Sequence, residues 1–80
     1  MADLAEVKRL IEDALPGSRV SVTDLTGGGN HLAVAVTAPQ FAGRRLIDQH
    51  RMIHAALKQK MAPVSDEIHA LEIKTVIPES

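Results

Sequence analysis

Four histidines and no cysteine set the metal and nucleophile chemistry open to this 80-residue chain. Without cysteine there is no disulfide, no thiol nucleophile, no self-contained zinc finger and no iron–sulfur cluster held by the chain's own thiolates. The imidazoles fall into two pairs. His31 and His69 each begin an expected strand, where the chain enters a sheet from a loop. An imidazole at such a strand mouth is fixed by the sheet yet reaches solvent, so the two can converge on one external metal. In "EIHALEIKT", residues 67–75, the period-2 register puts His69 on the same side as Leu71 and Ile73. His50 and His54 are spaced i, i+4 and share a helical face. A zinc protease needs Glu directly after the first His of such a pair, and Arg51 stands there instead. His50 lies within an apolar stripe and is expected to be a buried, hydrogen-bonded helix residue, with His54 at the stripe's edge.

Other polar groups carry less. Gly27-Gly28-Gly29 in "TGGGN" is not followed by the Gly-Lys-Ser/Thr of a phosphate loop. It joins strand to strand, so a hairpin loop is expected rather than an anion cradle. Arg44, Arg51 and Lys58 recur every seven residues, with Arg45 nearby. On one long helix they would form a basic strip for phosphate backbone or an acidic partner. Asp66 and Glu67 fall in an expected loop without the apolar surroundings that raise a carboxyl pKa. No catalytic set emerges, and the chain reads as a non-enzyme.

These residues need elements to position them. Asp3 as N-cap with Glu6 three residues later announces a first helix. Its stripe is Leu4, Val7, Ile11 and Ala14, widened by Leu10 and Leu15, and Pro16-Gly17 ends it. "RVSVTDL" and "HLAVAVT" alternate as strands, with Val20 and Val22, then Leu32, Val34 and Val36, on one face. Pro39 and Gly43 bracket Phe41, the only aromatic, as a plug at one end of the core. A helix over about residues 44–61 follows, with Leu46, His50, Ile53 and Leu57 as its stripe and Ile47, His54 and Met61 beside it. Pro63 is expected to stop it, and residues 67–75 form the third strand, closed by Pro78. The order α-β-β-α-β, with a helical turn before the long helix, predicts an α+β two-layer domain with helices on one face of a three-stranded sheet.

Hydrophobic residues make up 45% and charged residues 24%, as in a globular chain, and the length suggests one domain over residues 1–80. A net charge of −1 gives no bulk footprint for nucleic acid. No segment has membrane-spanning length or the form of a secretory signal, so a cytoplasmic protein without membrane contact is expected.

Three segments together resemble the BolA-like family: "DLTGGGNHLAVAV", "FAGRRLIDQHRMIHAAL", and "IHALEIKT" followed by a proline. The resemblance spans about residues 4–78. It implies a fold similar to the type II KH domain, α-β-β-α-α-β. It also implies a monothiol glutaredoxin as partner, with a two-iron two-sulfur cluster bridging the proteins. The glutaredoxin cysteine and a bound glutathione supply thiolates, and this side supplies the histidine of "IHAL", here His69. The second ligand matches His31, which makes the chain similar to the histidine type, although its loop before His31 is short for that type. On this reading the isolated chain holds no cluster and is a monomer or weak homodimer. The implied role is iron–sulfur trafficking or iron and redox regulation under stress. The alternative is a DNA-binding transcriptional regulator, with weak contact carried by Arg44, Arg51 and Lys58. Net charge and the missing Gly-x-x-Gly clamp of RNA-binding KH domains count against strong nucleic-acid binding.

Overall fold

Asp3 opens the first helix as expected: its carboxylate accepts from the N–H groups of Ala5 (2.9 Å) and Glu6 (3.4 Å). The computed structural model describes residues 3–61, 64–65 and 67–78. Helix α1 is Leu4–Ala14, and it buries Val7 and Ile11, with Leu15 just beyond its end. Strands β1 (Arg19–Asp24) and β2 (His31–Thr37) pair antiparallel. A single 3-10 turn, Pro39–Phe41, stands where the family pattern has a further short helix. Helix α2 (Leu46–Ala56) and a 3-10 turn at Lys58–Lys60 lead to strand β3 (Ala70–Val76).

The sheet order is β1-β2-β3, with β3 parallel to β2. Helix α1 packs on β1, α2 on β3, and the helices touch each other. This is the expected α+β architecture, with the helices against one face of the sheet. Leu32 and Val36 are fully buried on that face and Val34 nearly so, packed with Phe41, Ile53, Leu57 and Ile68. The reverse face carries Ser21, Thr23, Ala33, Ala35, Glu72 and Lys74 and is open.

Two expectations for the second helix are corrected. It ends at Ala56, so Arg44 lies before it and Lys58 in the turn after it; Pro63, the expected stop, lies outside the described residues. Its inward face is also turned from the expected stripe: Ile53 and Leu57 are buried as expected, but Gln49 takes the place of His50. Leu46 is 63% and Ile47 53% exposed. His50 is therefore only half-buried, and the buried polar residue is Gln49. The Gln49 amide donates to the carbonyls of Arg44 (2.9 Å) and Phe41 (3.4 Å) and accepts from Thr75 Oγ1 (2.5 Å). A fully partnered amide is admissible in a core, and this one ties α2, the turn before it and β3 together. Two exposed aliphatics, Leu46 and Ile47, had shifted the apparent phase of the periodicity.

Candidate functional site

Because β2 and β3 run parallel, both strands begin at the same rim of the sheet, with His31 opposite Ala70. The Asn30 carbonyl accepts two successive N–H groups there, from His69 (2.7 Å) and Ala70 (3.1 Å). Main-chain bonds thus bring the approach to His31 and the approach to His69 together. His69 does not begin the strand in line with Leu71 and Ile73, as its register suggested. Ile68 is buried, and the next inward-facing residue is Leu71, three positions later. One extra residue has been accommodated where two N–H groups share one carbonyl, as in a β-bulge. The shift leaves His69 exposed, one residue ahead of β3.

His31 lies on the open face of the sheet, its side chain 39% exposed and its Nε2 3.7 Å from Glu72 Oε2. Glu72 was not singled out from the sequence. The parallel register places it opposite Ala33, on the same face as His31.

The loop before His31 is built by one carboxylate. Asp24 Oδ1 accepts from the N–H of Thr26 (3.2 Å) and Gly27 (3.0 Å), and Oδ2 from that of Gly29 (2.9 Å). Gly27 and Gly29 have φ of 79° and 75°, the left-handed region that admits glycine without strain. The Leu25 N–H donates to the His31 carbonyl at 2.9 Å and closes the hairpin. The glycine run is therefore a folded support for His31.

The approach to His69 is held differently. Lys60 Nζ pairs with Glu6 of α1 and with Glu67 Oε2 at 3.1 Å. The hydrogen bonds to Glu6, then to Glu67, raise the Lys60 pKa above the ordinary 10.5. The Ile68 N–H donates to the Lys60 carbonyl at 2.8 Å, and Ile68 bridges Met61. Asp66 lies outside the described residues, and its expected neighbour Glu67 is an ion-pair partner.

The expected basic residues sit on three separate elements. Arg44 precedes α2, Arg51 projects from it and pairs with Asp48 at 3.8 Å, and Lys58 lies in the following turn; all three are exposed. Arg45 pairs with Asp48 at 3.1 Å. His50 and His54 lie along one flank of α2, His50 half-buried and His54 exposed.

Among the described residues no group of three or more His, Asp or Glu side chains is arranged to hold a metal ion. The rim offers two imidazoles, which is half a coordination sphere at most for a tetrahedral centre. The remaining positions of an ion or cluster bound there would be filled by water or by a second molecule. No described helix is long and apolar enough to cross a membrane.

Comparison with known proteins gives a consistent result. The family model described as BolA-like protein matches residues 4–80. Protein BOLA2 of Arabidopsis thaliana is 39% identical over 75 residues, covering 92% of this chain and 76% of the relative. The structure of a bolA protein homologue from Coxiella burnetii superposes with a TM-score of 0.77 at 34% identity, covering 98% of this chain and 94% of that one. BolA1 from Arabidopsis thaliana shares the fold, with a TM-score of 0.83 at 20% identity over 100% of this chain and 99% of its own.

Proposed function

The chain belongs to the BolA-like family, and we propose that it is a non-enzymatic adaptor that binds a monothiol glutaredoxin and co-ligates a two-iron two-sulfur cluster between the two proteins. The observation that carries this reading is the shared rim: one carbonyl, of Asn30, fixes the backbone of His69 and Ala70 beside His31. Each imidazole is accessible, so the chain would supply two ligands and, having no cysteine, no thiolate. A neutral imidazole is a competent iron ligand, as the mixed ligation of Rieske centres illustrates. The glutaredoxin cysteine and glutathione would complete the set.

The residues of this chain have distinct tasks in that role. His69, exposed and ahead of its strand, meets the partner first. His31 has Glu72 Oε2 3.7 Å from its Nε2, beyond hydrogen-bond distance, so its ring nitrogens stay open to the metal. The Asp24-capped loop and the Lys60 ion pairs hold the two approaches. Imidazole ligation is proton-sensitive, so the cluster is held less firmly at low pH than one with thiolates alone, which suits a cargo that is passed on or sensed.

The test is to mix the protein with a monothiol glutaredoxin, iron, sulfide and glutathione and to record visible absorption and circular dichroism. A spectrum distinct from that of the glutaredoxin alone, and altered by His69→Ala, is expected. An identical spectrum with and without this chain refutes the adaptor role.

The regulator reading retains one supporting observation: Arg44 and Lys58 are exposed and form no ion pair among the described residues. With Arg51 they offer about three phosphate contacts, a log–log salt slope no steeper than about −3. Weak, salt-labile DNA binding is the expected result. Sequence-selective binding that survives at higher salt, without a cluster-bridged complex, would put the regulator first.

A further inference from the structure

We propose that His50 and His54 form a second metal site, along one flank of α2 where His50 is half-buried and His54 exposed, that takes a divalent late first-row transition ion through two imidazoles. The two residues lie on one continuous helix, Leu46–Ala56, at a spacing of four. That spacing stacks side chains one above the other with Cβ atoms about 5–6 Å apart. Two imidazoles so placed can reach one ion without any change of backbone, while water fills the remaining positions. The helix therefore supplies the preorganisation.

Two further observations favour this pair. Among the described residues neither ring takes part in a side-chain hydrogen bond or an ion pair, so no internal partner competes for the ring nitrogens. His54 also lies in the last turn of α2, at the negative end of the helix dipole. A bound cation is favoured at that end. Arg51 lies between the two histidines in sequence, but its guanidinium is drawn to Asp48, 3.8 Å away. The ligands are neutral nitrogens, so the preferred ions are those that favour imidazole, with Cu2+ ahead of Ni2+ and Zn2+ in the usual order of divalent affinities. Mg2+ and Ca2+, which want oxygen ligands, should not bind.

The site is separate from the proposed rim: it lies on one helix and needs no thiolate and no partner protein. It stands whether or not the adaptor reading does.

The experiment uses the full chain and Cu2+ alone, followed by calorimetry and by the nitrogen hyperfine structure of the copper resonance. The His31→Ala/His69→Ala variant separates the two pairs and is expected to keep a site with two nitrogen ligands. His54→Ala, at an exposed position, should keep its helix content and lose affinity by about tenfold or more, at least the equivalent of roughly 1.4 kcal/mol. Leu46→His in the His54→Ala background rebuilds the spacing of four on the other side of His50 and should restore binding. The rebuilt site should be weaker than the original because position 46 is at the positive end of the helix. Absence of copper binding, unchanged affinity in His54→Ala, loss in the His31→Ala/His69→Ala variant, or failure of the rebuilt spacing to restore binding would each overturn the proposal.

Discussion

The two approaches to the rim are held by different kinds of force. Ahead of His31, one carboxylate collects three main-chain N–H groups within the same loop. Ahead of His69, a lysine from the turn after α2 is held between carboxylates of α1 and of the approach itself. The first support is local, short in sequence and independent of the helical layer. The second is long-range and depends on α1 being docked. One histidine is thus placed by its own hairpin, and the other by the assembled domain.

The largest expected effect tests whether both placements serve one site. His69→Ala should abolish or strongly change the spectrum of the bridged cluster, and His31→Ala should do the same to a smaller degree. Both variants should remain folded, because His69 is exposed and His31 lies on the open face. Equal, unaltered spectra would show that the rim is not the ligand site, however well it is supported.

A control outside both approaches has the next largest effect. Gln49→Ala strips a buried amide from Phe41, Arg44 and Thr75. It should cost about 2–3 kcal/mol of stability in denaturant unfolding. His50→Ala, one position on, should cost less than about 1 kcal/mol. Reversed magnitudes would contradict the turned face of α2.

Asp24→Ala sharpens the comparison on the local side. It should destabilise the protein by about 1–2 kcal/mol. It should also speed hydrogen exchange at Thr26, Gly27 and Gly29 while leaving α1 protected. If exchange in α1 rises equally, the loop is not an independent support.

The smallest effect lies on the long-range side. Lys60→Met should lower the unfolding temperature by less than Asp24→Ala does, because ion pairs with solvent access contribute little. Its pH dependence has a definite sign. The folded-state pKa of Lys60 lies above its unfolded value of 10.5, so its stabilising contribution is complete below that value. The contribution is lost as pH rises through the folded pKa. The native protein should therefore lose stability above about pH 10.5 more steeply than Lys60→Met does. Parallel curves would mean that the ion pairs do not hold the approach to His69.

Much of this arrangement was legible in the sequence, and the exceptions share a cause. The cap of α1, the alternation in β1 and β2 and the plug at Phe41 all follow from short-range patterns, whereas His31 and His69 were named as ligands through the family resemblance. Periodicity reports the facing of a residue only while the period is unbroken. At Ile68–Leu71 an extra residue breaks it, which hides the exposure of His69. At Leu46 and Ile47 exposed aliphatics imitate a core stripe, which hides Gln49. Glu72 and the Lys60 partners were invisible for another reason: their contacts depend on the parallel register and on the docking of α1, and neither is encoded locally.

The parallel pairing of β2 with β3 has a consequence in time as well as in space. Parallel neighbours cannot be joined by a tight turn, so the chain must cross over through α2 and its following turn to reach β3. His31 sits in a hairpin that can form early from adjacent residues, whereas the approach to His69 takes its place when the last strand docks. Closing such a long loop is among the slower events in folding a small domain. A chain emerging from the ribosome therefore presents His31 ahead of His69. The pair is complete only where β3 has paired with β2, so a partner that requires both histidines would read the paired sheet and not the hairpin alone.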